Sequence, residues 1–143
     1  MDLKIKLVDT SLPLPKYETS GSVAFDLYSR IDITVPPFLP TIIPANIIVK
    51  IPEGYFLMVA SRSSTPKKKG LIIANGIGVI DQDYCGDNDE IGLQVLNFTK
   101  EDVTVSKGER IGQALLVKID KVDSFVQVEK MDEKSRGGFG STG

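Results

Sequence analysis

The sequence predicts an all-β domain, a sandwich, a jelly roll or a barrel, with at most one short helix. Short runs rich in Val, Ile, Phe and Tyr recur along the chain, and turn residues such as Pro36-Pro37 and Pro52-Glu53-Gly54 separate them. No segment carries a long helical period of apolar residues. Regularly spaced short strands with turn signals between them are typical of these three architectures.

Each predicted element follows from its local pattern. The first strand is predicted where apolar residues alternate with lysines, and the others where apolar, β-prone runs lie between turns. The predicted strands cover residues 3–7, 23–28, 31–35, 41–50, 55–60, 71–74, 78–80, 90–98, 103–105, 110–119 and 124–128. The one short helix is predicted at residues 63–69, because Ser and Thr cap helices and Pro66 suits a first turn. We expect a single domain over residues 1–130 and a flexible, glycine-rich tail over residues 131–143.

Composition limits the class of protein. The chain has 143 residues, 41% of them hydrophobic, which suffices for one core. A net charge of -2 provides no general attraction for nucleic acid or an anionic membrane. No apolar run approaches the roughly 20 residues of a membrane span, residues 1–6 do not resemble a signal peptide, and Cys85 has no partner for a disulfide. We therefore expect a cytoplasmic protein, or an intracellular one if its source is a virus.

The chain contains no histidine. This excludes Ser-His-Asp and Cys-His catalysis, and with a single cysteine it also excludes the usual zinc ligand sets. If the protein is an enzyme, its base is a carboxylate, Lys, Tyr or Cys85, and its metal is a hard cation held by oxygen atoms.

Residues 75–84 carry the most informative pattern. Gly76 and Gly78 before an apolar pair predict a tight hairpin that brings backbone close to a ligand. If the chain is extended after the hairpin, Asp81 and Asp83 lie on the same side of that extended segment, with Tyr84 beside them. A carboxylate there could act as general base. On local chemistry alone, ordinary turn residues are the commoner use of Asp and Gly.

Two further segments suggest phosphate binding. Residues 61–66 predict a helix N-terminus with free N–H groups, to which Arg62 adds a fork of donors. The alternative, a plain capped helix with a surface Arg, is locally the more common. In the tail, Phe139 could stack on a base while the backbone of residues 138–141 wraps phosphate oxygens, or the segment could be an ordinary flexible end. Gln113 and Asp26 are polar residues in apolar runs, either core groups with partners or ligand contacts.

Five segments, in this order, resemble the five motifs of the trimeric dUTPase family. They are residues 24–29, 61–64, 75–86, 108–113 and the tail from residue 136. The resemblance implies a distorted jelly roll and a homotrimer with three active sites at subunit interfaces. It implies hydrolysis of dUTP to dUMP and pyrophosphate with Mg²⁺, which lowers dUTP and supplies dUMP for thymidylate synthesis. Neither nucleic acid nor a membrane is an expected partner.

The resemblance also implies roles for residues on the nucleoside side. Asp81 would activate the attacking water and contact the deoxyribose 3′-hydroxyl, supported by Asp83. Tyr84 would pack on the deoxyribose and exclude a 2′-hydroxyl. Backbone groups of the preceding segment would bind uracil and leave no room for a thymine methyl; its residues are Asn75, Gly78, Val79 and Ile80.

On the phosphate side, the resemblance implies side-chain contacts from motifs two and four, namely Arg62, Ser63, Ser64 and Gln113. Asp26 would support the site through water near the Mg²⁺ ion. In the tail, Phe139 would cover the uracil, with Gly140 and Ser141 against the phosphates, as the tail closes over a neighbouring subunit's site. The terminal phosphate would be contacted by Arg136 or Lys134, and the planar fork of arginine favours Arg136.

The chain departs from the family pattern at Ala24, where Gly is usual, and at the extra acidic residues 87–90. Two rival functions remain open. One is deamination of dCTP on the same fold, which needs a Glu as base where this chain has Asp81. The other is a non-enzymatic binding protein that uses the nucleotide as a switch, against which the complete tail argues.

Overall fold

The computed structural model describes residues 1–138 and residue 140. Within these residues the chain forms strands and a single five-residue helix, so the all-β prediction is confirmed. The elements are β1 (Lys4–Leu7), β2 (Phe25–Tyr28), β3 (Ile33–Val35), β4 (Thr41–Pro44), β5 (Ile47–Lys50), β6 (Tyr55–Ala60), α1 (Thr65–Lys69), β7 (Leu71–Ile73), β8 (Gly78–Ile80), β9 (Gly92–Asn97), β10 (Val103–Val105) and β11 (Arg110–Lys118).

The strands form antiparallel sheets in which neighbours in space are rarely neighbours in sequence. The largest sheet has the order β2-β11-β6-β8, and a second has the order β4-β9-β7. Two further pairs, β1-β5 and β10-β3, complete the described fold. Such crossovers between sheets are those of a jelly-roll-like fold, as predicted.

The core lies between the sheets and is made of the inward side chains of alternating strands. In β2, Phe25 and Leu27 are buried while Asp26 and Tyr28 are only half-buried. Fully buried residues from each large sheet meet there, including Leu57 from β6 and Leu93 from β9. Burying a side chain of this size contributes roughly 1.5–3 kcal/mol relative to exposing it. The core therefore fixes the strand ends that carry the polar residues described below.

One predicted strand, residues 41–50, is wrong as a single element. The chain leaves β4 at Pro44 and enters β5 at Ile47, and Asn46 between them has a φ of 66°. A left-handed residue ends a strand, and Asn tolerates that conformation better than most residues. The side chain of Asn46 holds the bend: its Oδ1 accepts from Asp9 N at 2.7 Å and its Nδ2 donates to Asp9 O at 3.0 Å. As a result, β4 pairs with β9 while β5 pairs with β1.

The predicted strand at residues 124–128 does not form. Residues 120–138 contain no strand and are exposed, and Phe125 keeps 95% of its surface accessible. A lone apolar run gains nothing from an extended shape unless another strand pairs with it. Several other strands are shorter at their ends than predicted. Among the described residues, no helix is long and apolar enough to cross a membrane.

Candidate active site

A polar cluster lies where β2, β6 and β11 meet. Asp26 on β2 stands opposite Gln113 on β11, and Gln113 stands opposite Ala60, the last residue of β6. Arg62, just beyond β6, donates from Nε to Asp26 Oδ1 at 2.7 Å, and Arg110 donates from Nη1 to Asp26 Oδ2 at 3.1 Å. Asp26 is only 12% exposed, so these two guanidinium groups supply the partners that an acid in an apolar strand requires.

The segment after β6 is shaped by backbone contacts. Gln113 donates from Nε2 to Ser61 O at 2.9 Å, and Ser61 Oγ accepts from Ile73 N at 3.0 Å. Ser64 occupies the N-cap of α1, but its side chain makes no capping hydrogen bond. A serine therefore occupies the cap position, as predicted, although its hydroxyl makes no capping hydrogen bond. The predicted helix itself is confirmed over its last five residues.

Arginine side chains dominate the charge of this cluster. Within residues 1–138, Arg62 makes its hydrogen bond to Asp26 through Nε. Arg110 also lies 3.9 Å from Glu18, with both side chains almost half exposed. Because a guanidinium remains charged at all ordinary pH values, the cluster presents fixed N–H donors for an anion.

A cavity of about 360 Å³ holds most of the predicted nucleoside residues. Its walls include Asn75, Gly78, Val79, Ile80, Tyr84, Val59, Glu90 and Gln94. Gly78 stands opposite Val59 on β6, and a Cβ at Gly78 would lie 3.2 Å from Val59 Cβ. Glycine therefore lets β8 approach β6 closely, as the sequence pattern predicted.

The predicted hairpin at residues 75–84 is wrong in its pairing. β7 pairs with β9 and β8 pairs with β6, so these two strands belong to different sheets. Gly76, with a φ of 79°, closes a turn in which its N–H donates to Ile73 O at 3.1 Å. This turn carries the chain from one sheet to the other and opens the space that becomes the cavity.

Asp81 lies outside the cavity. The chain turns after β8, and Tyr84 N donates to Asp81 O at 3.3 Å, so the predicted extended segment with Asp81 and Asp83 on one side does not form. Gln82 pins this turn by donating from Nε2 to Tyr55 O at 2.8 Å. Asp81 and Asp83 are exposed and line a separate depression with Tyr55 and Lys121.

The described tail residues line neither the nucleoside cavity nor the depression at Asp81. Lys134 and Arg136 are exposed and lie in no strand. Gly140 has a φ of 88°. Phe139 and Ser141 lie outside the described residues. One copy of the chain therefore presents the nucleoside cavity, Asp81, the arginine cluster and the tail as separate parts.

Some residues of the site were missed by sequence reasoning. Arg110 precedes Gln113 on β11 and could have been recognised from its place in the same motif. Gln82 and Glu90 carried no such signal, because their roles depend on partners distant in sequence: Tyr55 for Gln82, and Arg30 for Glu90. Within the described residues, no group of three or more His, Cys, Asp or Glu side chains could hold a metal.

A jelly-roll-like fold with a small cavity and a separate arginine cluster fits a β protein that binds a nucleotide. The dUTPase family model matches residues 10–143. The deoxyuridine 5′-triphosphate nucleotidohydrolase of Finegoldia magna is 43% identical, over 99% of both chains. The chain belongs to the dUTPase family, so the predicted family and enzyme class are confirmed.

Solved structures agree with this assignment. The dUTPase of Streptococcus mutans has a TM-score of 0.77 and 30% identity, covering 84% of this chain and 98% of that one. The dUTPase of Staphylococcus bacteriophage 80alpha, solved with dUPNHPP, has a TM-score of 0.84 and 27% identity, covering 99% of this chain and 98% of that one. The predicted fold class is therefore confirmed as well.

Proposed function

We propose that this chain hydrolyses dUTP to dUMP and pyrophosphate, with Asp81 as the base that activates the attacking water. The observation that carries the proposal is the cavity lined by Asn75, Gly78, Val79, Ile80 and Tyr84 in a chain of the dUTPase family. The cavity is large enough for a pyrimidine nucleoside, and Arg62 and Arg110 are not among its walls, which agrees with phosphate groups held outside it.

Uracil binding is supported by the position of β8. This strand is the edge of the sheet β2-β11-β6-β8, so one side of its backbone faces no other strand of the sheet. Backbone N–H and C=O groups on a free edge can pair with the polar edge of uracil. Tyr84, which lines the cavity, would pack on the deoxyribose and leave no room for a 2′-hydroxyl.

Phosphate binding is supported by the polar cluster. Arg62, oriented by Asp26, would contact the phosphates together with Ser63, Ser64 and Gln113. Asp26 adjoins this site, which fits Mg²⁺ held mainly by phosphate oxygens and water, with Asp26 acting through a water. When bound, the ion supplies charge neutralisation on the phosphates. Asp81 would take a proton from water as the new P–O bond forms in line with the departing pyrophosphate, with Asp83 supporting it.

The active site is proposed to be complete only in a homotrimer. Within one copy, Asp81 and the nucleoside cavity are separate from the arginine cluster, and residues 120–138 extend from the body with their side chains exposed. We infer one domain over residues 1–130 and a tail over residues 131–143 that closes over a neighbouring subunit's site. Arg136, rather than Lys134, would contact the terminal phosphate, with Phe139, Gly140 and Ser141 alongside.

The test is pyrophosphate release from dUTP, dCTP, dTTP and UTP with Mg²⁺, for the native chain and for Asp81→Asn. We expect release from dUTP, at least a hundredfold slower in Asp81→Asn. Asp87→Asn is the matched control, because Asp87 is exposed and pairs only with Lys6 at the surface. Release of ammonia from dCTP would support the deaminase instead, and dUTP binding without pyrophosphate release would support the binding protein. Sedimentation tests the trimer.

A further inference from the structure

We propose that Arg30 and Glu90 form a positioning pair that holds Tyr84 in place and thereby sets the selectivity of the site for deoxyribose over ribose. This inference rests on the proposed function. Neither residue was identified from the sequence as part of the site, and the pair acts through a chain of contacts that ends at the Tyr84 hydroxyl.

The Glu90 carboxylate is held at both oxygens. Arg30 donates from Nε to Glu90 Oε1 at 2.8 Å and from Nη2 to Glu90 Oε2 at 3.0 Å, a two-point contact that fixes the plane of the carboxylate. Asn46 N donates to Glu90 Oε1 at 2.9 Å. Glu90 is 17% and Arg30 32% exposed, so water competes only in part for these contacts. The Glu90 carboxylate also raises the pKa of Arg30 above its ordinary value, mainly through the hydrogen bond between them.

The backbone on either side of this contact is held as well. Arg30 N donates to Pro44 O at 2.9 Å, which ties the arginine to β4. Ile91, the residue after Glu90, donates to Ile47 O at 2.9 Å and accepts from Ala45 N at 2.8 Å. The main chain between Glu90 and Ile91 is therefore fixed on one side by the Glu90 side chain and on the other by the backbone hydrogen bonds of Ile91.

This fixed peptide receives the phenol of Tyr84. Tyr84 Oη donates to the main-chain carbonyl oxygen of Glu90 at 3.2 Å, and both residues line the nucleoside cavity. The Arg30–Glu90 pair thus acts on the cavity wall through the carbonyl to which Tyr84 is bonded. Exclusion of a 2′-hydroxyl by steric contact requires a wall that does not yield, since a shift of about 1 Å is enough to alter selectivity.

The loop between the two residues explains why such a pair is needed here. Residues 85–89 separate Tyr84 from Glu90. The loop closes on itself, with Gly86 N donating to Asp89 Oδ2 at 2.6 Å and Asp89 N donating to Gly86 O at 3.0 Å. It leaves the carbonyl of Glu90 to be located by contacts outside the loop, and Arg30 and Asn46 supply them.

The test compares kcat/KM for dUTP and for UTP in Glu90→Gln and Arg30→Lys. Glu90→Gln keeps the size of the side chain and removes its charge, and Arg30→Lys keeps the charge and removes the fork. We expect the dUTP-to-UTP ratio of kcat/KM to fall about fivefold or more in each, as expected for losing one fixed hydrogen bond. Asp87→Asn, in the same loop, is the control and should keep the native ratio.

A double-mutant cycle separates positioning from general stability. Tyr84→Phe removes the hydroxyl through which the pair acts, so Glu90→Gln should lower the ratio no further in that background. Additive losses of the dUTP-to-UTP ratio in the variant that combines Tyr84→Phe with Glu90→Gln would overturn the inference. A native ratio in both Glu90→Gln and Arg30→Lys, with only a lower Tm, would overturn it as well. If Glu90→Gln fails to fold, Arg30→Lys decides by the same ratio. Absence of pyrophosphate release by the native chain would instead refute the proposed function.

Discussion

Replacing Asp26 with Asn tests whether this carboxylate organises the arginine cluster. The substitution keeps the shape of the side chain but removes its charge and one of its two acceptor oxygens, which bind Arg62 and Arg110. The contact with Arg62 is the more sheltered and contributes about 1.5–3 kcal/mol as a charge-assisted hydrogen bond. The contact with Arg110, which is 45% exposed, contributes under about 1 kcal/mol. We expect Asp26→Asn to lower the free energy of unfolding by about 2–3 kcal/mol.

For a chain of this length, that loss lowers Tm by about 6–10 °C, measured at one fixed protein concentration because assembly also shifts Tm. We also expect kcat/KM for dUTP to fall about tenfold, because Arg62 is no longer held in its orientation. Asp87→Asn is the control and should melt with the native protein. A native Tm together with a native kcat/KM in Asp26→Asn would refute the view that Asp26 positions Arg62.

Three other predictions concern the ion pair of Asp9, the close approach of Gly78 to Val59, and the tail. The Lys107 ammonium and hydrogen bonds from Ser11 lower the pKa of Asp9 in the folded protein. The contribution of Asp9 to stability is therefore present above pH about 4 and is lost as the pH falls toward the lower pKa of the folded state. Asp9→Asn should flatten the decline of the urea midpoint between pH 5 and pH 2, and an unchanged decline would contradict this prediction. Gly78→Ala places a Cβ 3.2 Å from Val59 Cβ and should raise KM for dUTP severalfold by displacing β8, as measured by steady-state kinetics. Removing residues 135–143 should leave the circular dichroism spectrum and Tm unchanged and lower kcat for dUTP at least tenfold, whereas native kcat would exclude a catalytic role for the tail.

Much of the fold was predictable because it depends on local patterns. Alternation of apolar and polar residues in β2, and turn residues between runs, predict strands without knowledge of their partners. The break at Asn46 was not predictable, since residues 42–49 are apolar throughout except for this residue, and the bend is held by Asp9, far away in sequence. The strand expected at residues 124–128 failed for a related reason: an apolar run becomes a strand only where a partner strand exists.

The candidate site was likewise predictable only in part. Motif residues such as Asp81, Arg62 and Gln113 were predicted as site residues from sequence, because their segments resemble the motifs of the family. Their grouping was not, because β7 and β8 join different sheets and the turn at Gln82 directs Asp81 away from the cavity.

By itself, the sequence determined the fold class and the enzyme family, since each depends on composition, periodicity or a set of short ordered motifs. Only the tertiary structure decided which partner each polar group has. Asp26 lies between Arg62 and Arg110, and Glu90 is held by Arg30 and supports Tyr84. The physical reason is that hydrogen bonds and ion pairs act over about 3 Å in space, and the strand crossovers that create such neighbours leave no local trace in the chain.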